Sequence, residues 1–191
     1  MLVETDLNLA IALVISLLAF IIALYFDLRF QRIPNLFCLI IVVIGLSLQL
    51  YLYQLNGLLN AFLGLGLAFI LLFPAFIIKA VGAGDVKLMM AIGTITGYQL
   101  LIWSIVYAII FGALTSLLLA SYKTGWNGLK ATVVRYYHCF YLRQYLKPSD
   151  GEAASVRVPY APALALGWLW ACSQNDDVLW AISNFRYAIF S

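Results

Sequence analysis

Two aspartates stand out in an apolar chain: Asp27 in YFDLRFQRIPN and Asp85 in GAGDVKLMMA. Each lies where a hydrophobic run ends or begins, and 58 positions separate them. Carboxylates so placed have two physical uses. If they meet in space, a close pair in a low-dielectric site cannot easily ionise twice, so it shares one proton and offers a general base beside a general acid. If they do not meet, each is a solvated helix end with Arg29, Arg32, Lys79 and Lys87 nearby in sequence. Asp85 would then also suit the positive end of the helix that starts there. An acid at full membrane depth costs ~2.5 kcal/mol or more, which makes both residues functional candidates. Spacing alone leaves the two readings level.

Whether the aspartates meet depends on the elements that carry them. The chain has 191 residues, of which 65% are hydrophobic and only 10% charged, with a mean hydropathy of +1.00. A soluble domain carries about a quarter of charged residues, so this composition predicts an all-α polytopic membrane protein. Length allows one domain, 1–191, and there is no internal repeat or Pro/Gly/Ser-rich linker. The first run, Leu7 to Phe26, has an acidic flank (Glu4, Asp6). It is long enough for ~30 Å of hydrocarbon, which predicts a retained span and not a signal peptide. Further runs follow at Leu36 to Leu52, Leu58 to Ile78, Leu88 to about Gly97, Leu100 to Ala120 and about Val158 to Cys172.

The fourth and sixth runs are short, but charge supports about six spans with the N-terminus outside. Arg29, Arg32, Lys79, Lys87, Lys123, Lys130, Arg135, Arg143, Lys147 and Arg157 then fall inside, ten of the eleven basic residues. That is the direction of the positive-inside rule. The inside segments are Leu28 to Asn35, Lys79 to Val86 and a long loop, 121–157, while a tail, 176–191, carries Arg186. The fourth span must cross and end near TGYQ, or the most basic loop would move outside. The net charge of +3 therefore reads as topology and not as a nucleic-acid footprint. By parity, spans one and three both end inside, so Asp27 and Asp85 share a membrane face.

Other chemistry has less support. Cys38, Cys139 and Cys172 are dispersed with no C-x-x-C pair, so they read as small buried or lipid-facing hydrophobes and not as metal ligands. His138, the only histidine, falls on an interfacial surface in RYYHCFYLRQY. The glycines before Asp85 favour a shaped site: Gly82 and Gly84 permit positive φ and let another backbone approach, as an extended peptide would require. Pro34 fixes the turn into span two, with Ile33 biased toward extended geometry.

These stretches resemble the type IV prepilin peptidases. DLRFQRIPN is similar to their D-x-x-x-x-x-I-P-N segment, GAGDVK to the G-x-G-D-x-K around their second aspartate, and VPYAPALALG to the proline-containing start of their last helix. The resemblance implies a G-x-G-D membrane aspartic endopeptidase that clips the leader from prepilin or pilin-like precursors at the cytoplasmic face of the bacterial inner membrane. It makes Asp27 and Asp85 the catalytic pair, with Gly82, Gly84, Lys87, Ile33, Pro34 and Asn35 shaping the site. No metal or other cofactor is expected, and the partners are the precursor and the lipid bilayer, without nucleic acid. The cytoplasmic cysteine-pair domain of bifunctional relatives has no counterpart, so N-methylation is not expected. The compact form looks like the peptidases of tight-adherence (Flp) pili. The competing readings are a channel or transporter subunit, which would place its acids nearer the midplane and often repeat its halves, and an inactive pilus-assembly scaffold.

Within the long loop, Gly128 to Lys147 predicts an amphipathic helix on the inner leaflet. Val133, Val134, Tyr137, Phe140, Tyr141 and Tyr145 share one side and Thr132, Arg135, His138 and Arg143 the other, although Leu142 and Leu146 interrupt the polar side.

Overall fold

The computed structural model describes residues 2–78, 80–143 and 160–190, without the side chains of residues 2–6, 129, 140 and 185–190. Lys79, Tyr145, Leu146, Lys147, Asp150, Glu152, Arg157 and Val158, and the side chains of Glu4, Asp6, Phe140 and Arg186, lie outside the described residues. The architecture is all-α, as composition predicts, with no strand among the described residues. Five helices follow in order: α1 (Leu2–Phe30), α2 (Asn35–Ile77), α3 (Ala83–Leu142), α4 (Ala161–Ser173) and α5 (Asp176–Phe190). Three helical stretches, Leu7–Phe30, Asn35–Ile77 and Ala83–Gly128, are long and apolar enough to cross a membrane, and Ala161–Ser173 is a shorter apolar helix.

Two boundaries expected between spans fall inside α2 and α3 as local breaks. A straight helix of 43 residues would run ~65 Å, about twice the hydrocarbon thickness. At Gln54, however, the backbone takes φ 55 and ψ −141, and the chain folds back. A Cβ on Gly57 would collide with the Gln49 carbonyl and lie 2.6 Å from Tyr53 Cβ. At Gly97, φ is +75, the left-handed region that glycine enters at no steric cost. Beyond it Leu101 returns to within 3.0 Å of where a Gly93 Cβ would stand. Residues eight apart in a straight helix are ~12 Å apart, so both contacts require reversal. The turn at Gly97 coincides with the TGYQ boundary read from the sequence.

Two compact units are distinguished: Met1–Ile110 with Pro159–Ser191, and Phe111–Val158. In the first, residues 83–96 form the most enclosed helix. Leu88, Met89, Ala91, Ile92 and Ile95 are wholly buried, the pattern of a helix apolar on all sides. Small residues let its neighbours close in. Gly45 faces the Thr94 side chain, and Gly64 lies against the backbone of Gly93, the close approach that membrane helix packing exploits. Buried hydroxyls are satisfied locally: Ser16 donates to the Ala12 carbonyl, Thr94 to that of Ala91 and Ser104 to that of Leu100. On the other side α1 packs against α2, α4 and α5, with the Phe20 ring tilted against Trp168 at 5.4 Å between centroids. Gly167 lies against the backbone at Ser104 and Ala108.

The tail continues the helical architecture as α5. Asn175 accepts the Val178 N–H through Oδ1 at 3.2 Å, an N-cap that uses its short polar side chain, and Val178 and Ala181 are buried. In the second unit, φ of +64 at Gly125 interrupts the helix. The buried or half-buried face of the following segment carries Gly128, Thr132, Arg135 and Cys139.

Candidate active site

Three helix ends converge on the two aspartates. The first is the C-terminus of α1. Asp27 lies in its last turn, its carbonyl accepts the Gln31 N–H at 2.9 Å, and Gln31 turns the chain at φ 50, as residues closing a helix often do. Arg32 and Ile33 then lead into Pro34, whose φ −62 and ψ 135 make it the N-cap of α2. Proline suits this place because its φ is already set and its missing N–H costs no helical bond.

The second end is the N-terminus of α3. Asp85 reaches back so that its Oδ2 accepts the Gly82 N–H at 3.2 Å, the geometry by which an acid at the third helical position closes a first turn. Part of the plain helix-end reading of Asp85 is thus realised. Exposure separates it from an ordinary cap: Asp85 is 8% exposed, and so is Asp27. Neither Gly82 nor Gly84 takes the positive φ that the sequence permits there; what they provide is close approach. A Cβ at Gly82 would stand 3.0 Å from Asp85 Oδ2, and one at Gly84 only 3.3 Å from Ile33 Cβ, so the second glycine lets the α1–α2 turn pack against the start of α3.

The third end was not legible as part of the site. The N-terminal N–H groups of a helix have no intrahelical acceptor, and in α4 the Ala161 N–H donates to Asp27 Oδ2 at 3.2 Å. Asp27 thereby sits at the positive end of α4, where a carboxylate is favoured. Tyr160, the N-cap of α4, is half-buried, and its hydroxyl donates to the Ala108 carbonyl at 3.3 Å. VPYAPALALG marks this helix start in the sequence, but a main-chain N–H has no residue signature, so only the fold identifies the donor.

All eight residues singled out in the sequence gather here. Asp27 and Asp85 are near enough to interact electrostatically, and Tyr160 is within the same reach of Asp85. Lys87 Nζ donates to Asn35 Oδ1 at 2.9 Å on the exposed side, tying the start of α3 to that of α2. Ile33 is buried against Gly84, and Pro34 and Asn35 are exposed at the rim. Among the described residues each carboxylate accepts one hydrogen bond, through Oδ2, leaving Oδ1 of both for other partners. Cys38 and Cys172 are buried and not disulfide-bonded. Among the described residues no cluster of three or more His, Cys, Asp or Glu could hold a metal ion.

Two nearly buried carboxylates, each with one backbone donor, form an arrangement for proton transfer to a polar group placed between them. No curated protein and no solved structure matches the chain. The sequence profile of the type IV leader peptidase family matches residues 12–117. That match covers more than half of the chain and both aspartate-bearing helix ends, and the chain belongs to the type IV leader peptidase family.

Proposed function

We propose that the chain is a membrane-embedded aspartic endopeptidase for pilin-like precursors of the tight-adherence type, with Asp27 and Asp85 as its catalytic pair. Membership of a leader peptidase family supplies the reaction class. The observation that carries the residue assignment is the meeting of two chain-distant, almost buried carboxylates at one end of a helical unit. The segregation of basic residues, in the direction of the positive-inside rule, supports a position for that end at the cytoplasmic face of the inner membrane.

In this reading the ionised carboxylate takes a proton from water as its oxygen attacks the scissile carbonyl carbon. The protonated partner hydrogen-bonds the carbonyl oxygen as negative charge develops there. Collapse of the tetrahedral adduct breaks the C–N bond. A carboxyl proton passes to the leaving nitrogen, so that one carboxyl and one amino terminus are released and the pair again holds one proton. Gly82 and Gly84 let the Asp85 carboxylate and the α1–α2 turn close in on one another, and the Lys87–Asn35 contact and Pro34 hold the rim. A site where spans begin suits a substrate whose scissile bond lies just before its own transmembrane helix.

The test is conversion of a co-expressed pilin-like precursor, read by gel shift and N-terminal sequencing. The unaltered chain should release the mature form. Asp27→Asn and Asp85→Asn should each lower conversion by at least about 10³-fold, within the range for loss of an acid–base group, while the protein still accumulates in the membrane. Substantial conversion by either well-accumulated variant would refute the assignment.

A further inference from the structure

We propose that the segment 126–142 docks an exposed aromatic stripe on an anionic membrane surface. Trp126, Lys130, Val133, Val134, Tyr137 and Tyr141 recur at spacings of four, three, one, three and four residues, which puts them on one side of an α-helix. Every one is exposed: Trp126 by 70%, Val133 by 68%, Tyr137 by 68% and Tyr141 by 76%, with Lys130 Nζ 5.9 Å from the Trp126 ring. The packed side is the more polar one, carrying Thr132 and the buried Arg135, so the stripe is not surface left over from a core.

The composition selects the occupant. Trp and Tyr combine an apolar body with a polar tip and collect at the membrane–water interface. This segment is too rich in Lys, Arg and His to cross. Besides the buried Arg135, Lys123, Lys130, Arg143 and Lys147 lie in a stretch with no Asp or Glu between Asp85 and Asp150. Anionic headgroups attract such a segment by about 1 kcal/mol per basic side chain near the surface. A second copy of the same stripe would bring like charge against like charge, which favours lipid over self-association.

The experiment uses the full chain in phosphatidylglycerol-containing vesicles, with Cys38, Cys139 and Cys172 replaced by alanine and single cysteines introduced at Tyr137, Tyr141 and Ala131. Ala131 is exposed on another side of the helix. A polar maleimide should label the Tyr137→Cys and Tyr141→Cys proteins about tenfold more slowly than Ala131→Cys if the stripe is immersed in the interface. Equal rates at all three positions would overturn the proposal. So would cross-linking between copies at 137 or 141, or equal protection in vesicles of phosphatidylcholine alone. Quenching of Trp126 by brominated lipid, taken as the difference between the native-cysteine chain and its Trp126→Phe variant, keeps the test decisive if the cysteine-free chain does not fold. Quenching that is unchanged by this substitution would count against docking.

Discussion

The two ends of the 83–96 helix use polar groups in opposite ways. At its start, Asp85 and Asp27 are almost buried, and each accepts one backbone N–H at 3.2 Å. At its far end the polar partners are neutral amides. Gln49 donates to the Ile95 carbonyl at 2.6 Å, and Asn60 Oδ1 accepts the Tyr98 N–H at 3.3 Å. The amides serve backbone groups near the Gly97 turn, where a buried group left without a partner costs about 1–3 kcal/mol. They need no proton exchange. The acids add a charge that the apolar surroundings disfavour, and a fold that needed only a capped turn would have been served by amides there as well. Titratable groups at one end and amides at the other separate a locked end from one that, in the proposed function, is reactive.

The comparison can be broken most severely between the two ends, where helix contacts are closest. A Cβ on Gly93 would stand 2.8 Å from the Gly64 backbone and 3.0 Å from Leu101 Cδ2. Gly93→Val should therefore cost about 3 kcal/mol or more by overpacking that the backbone cannot relieve. Little folded protein should be recovered, read by the monodisperse fraction in detergent. Recovery equal to the unaltered chain would contradict the packing described.

A smaller effect is expected at the locked end. Asn60→Ala removes the acceptor of Tyr98 N–H and should lower thermal stability by about 1 kcal/mol while activity per folded molecule stays within about twofold. Gln49→Met should cost less than Asn60→Ala, because Gln49 Oε1 is buried without a hydrogen-bond partner among the described residues, and losing that orphan offsets the lost bond. Melting curves compared with precursor conversion would check both. A large fall in conversion without a fall in stability would dissolve the distinction between the ends.

The smallest effect belongs to Tyr160, which adjoins the N–H that holds Asp27. Tyr160→Phe breaks the hydroxyl contact with the Ala108 carbonyl, and we expect conversion to slow by about threefold, in line with one neutral hydrogen bond. The fall should lie in turnover and not in substrate affinity if Tyr160 positions the start of α4. A change confined to affinity would instead place Tyr160 against the substrate.

The sequence made much of this legible, and the gaps have physical causes. Hydrophobic runs and basic segregation marked the helical segments and placed Asp27 and Asp85 at one end. Gly97 could be read as a turn because glycine takes positive φ without strain. Gln54 could not, since nothing in its type announces φ 55, and the reversal shows only in the fold, where Gly57 comes back against Gln49 and Tyr53. The contribution of α4 was hidden for another reason: its functional group is the Ala161 N–H, which every residue but proline possesses. The pairing of Lys87 with Asn35, 52 positions apart, likewise depends on the fold bringing two helix starts together. The tail gave no span signal because its hydrophobic positions are mixed with Asp176, Asp177, Asn184 and Arg186, and its helix is supported by packing on α1.

The claim most in need of a direct test is that Asp27 and Asp85 act as one device. The measurement is the rate of precursor cleavage by purified Asp27→Asn, Asp85→Asn and the double variant, followed over long incubations and normalised to folded protein. Residues that work as a unit lose everything at the first substitution, so the double variant should fall within about threefold of either single one. If instead the two losses multiply, to about 10⁶-fold for two independent 10³-fold effects, the residues contribute separately and the shared-proton account is wrong.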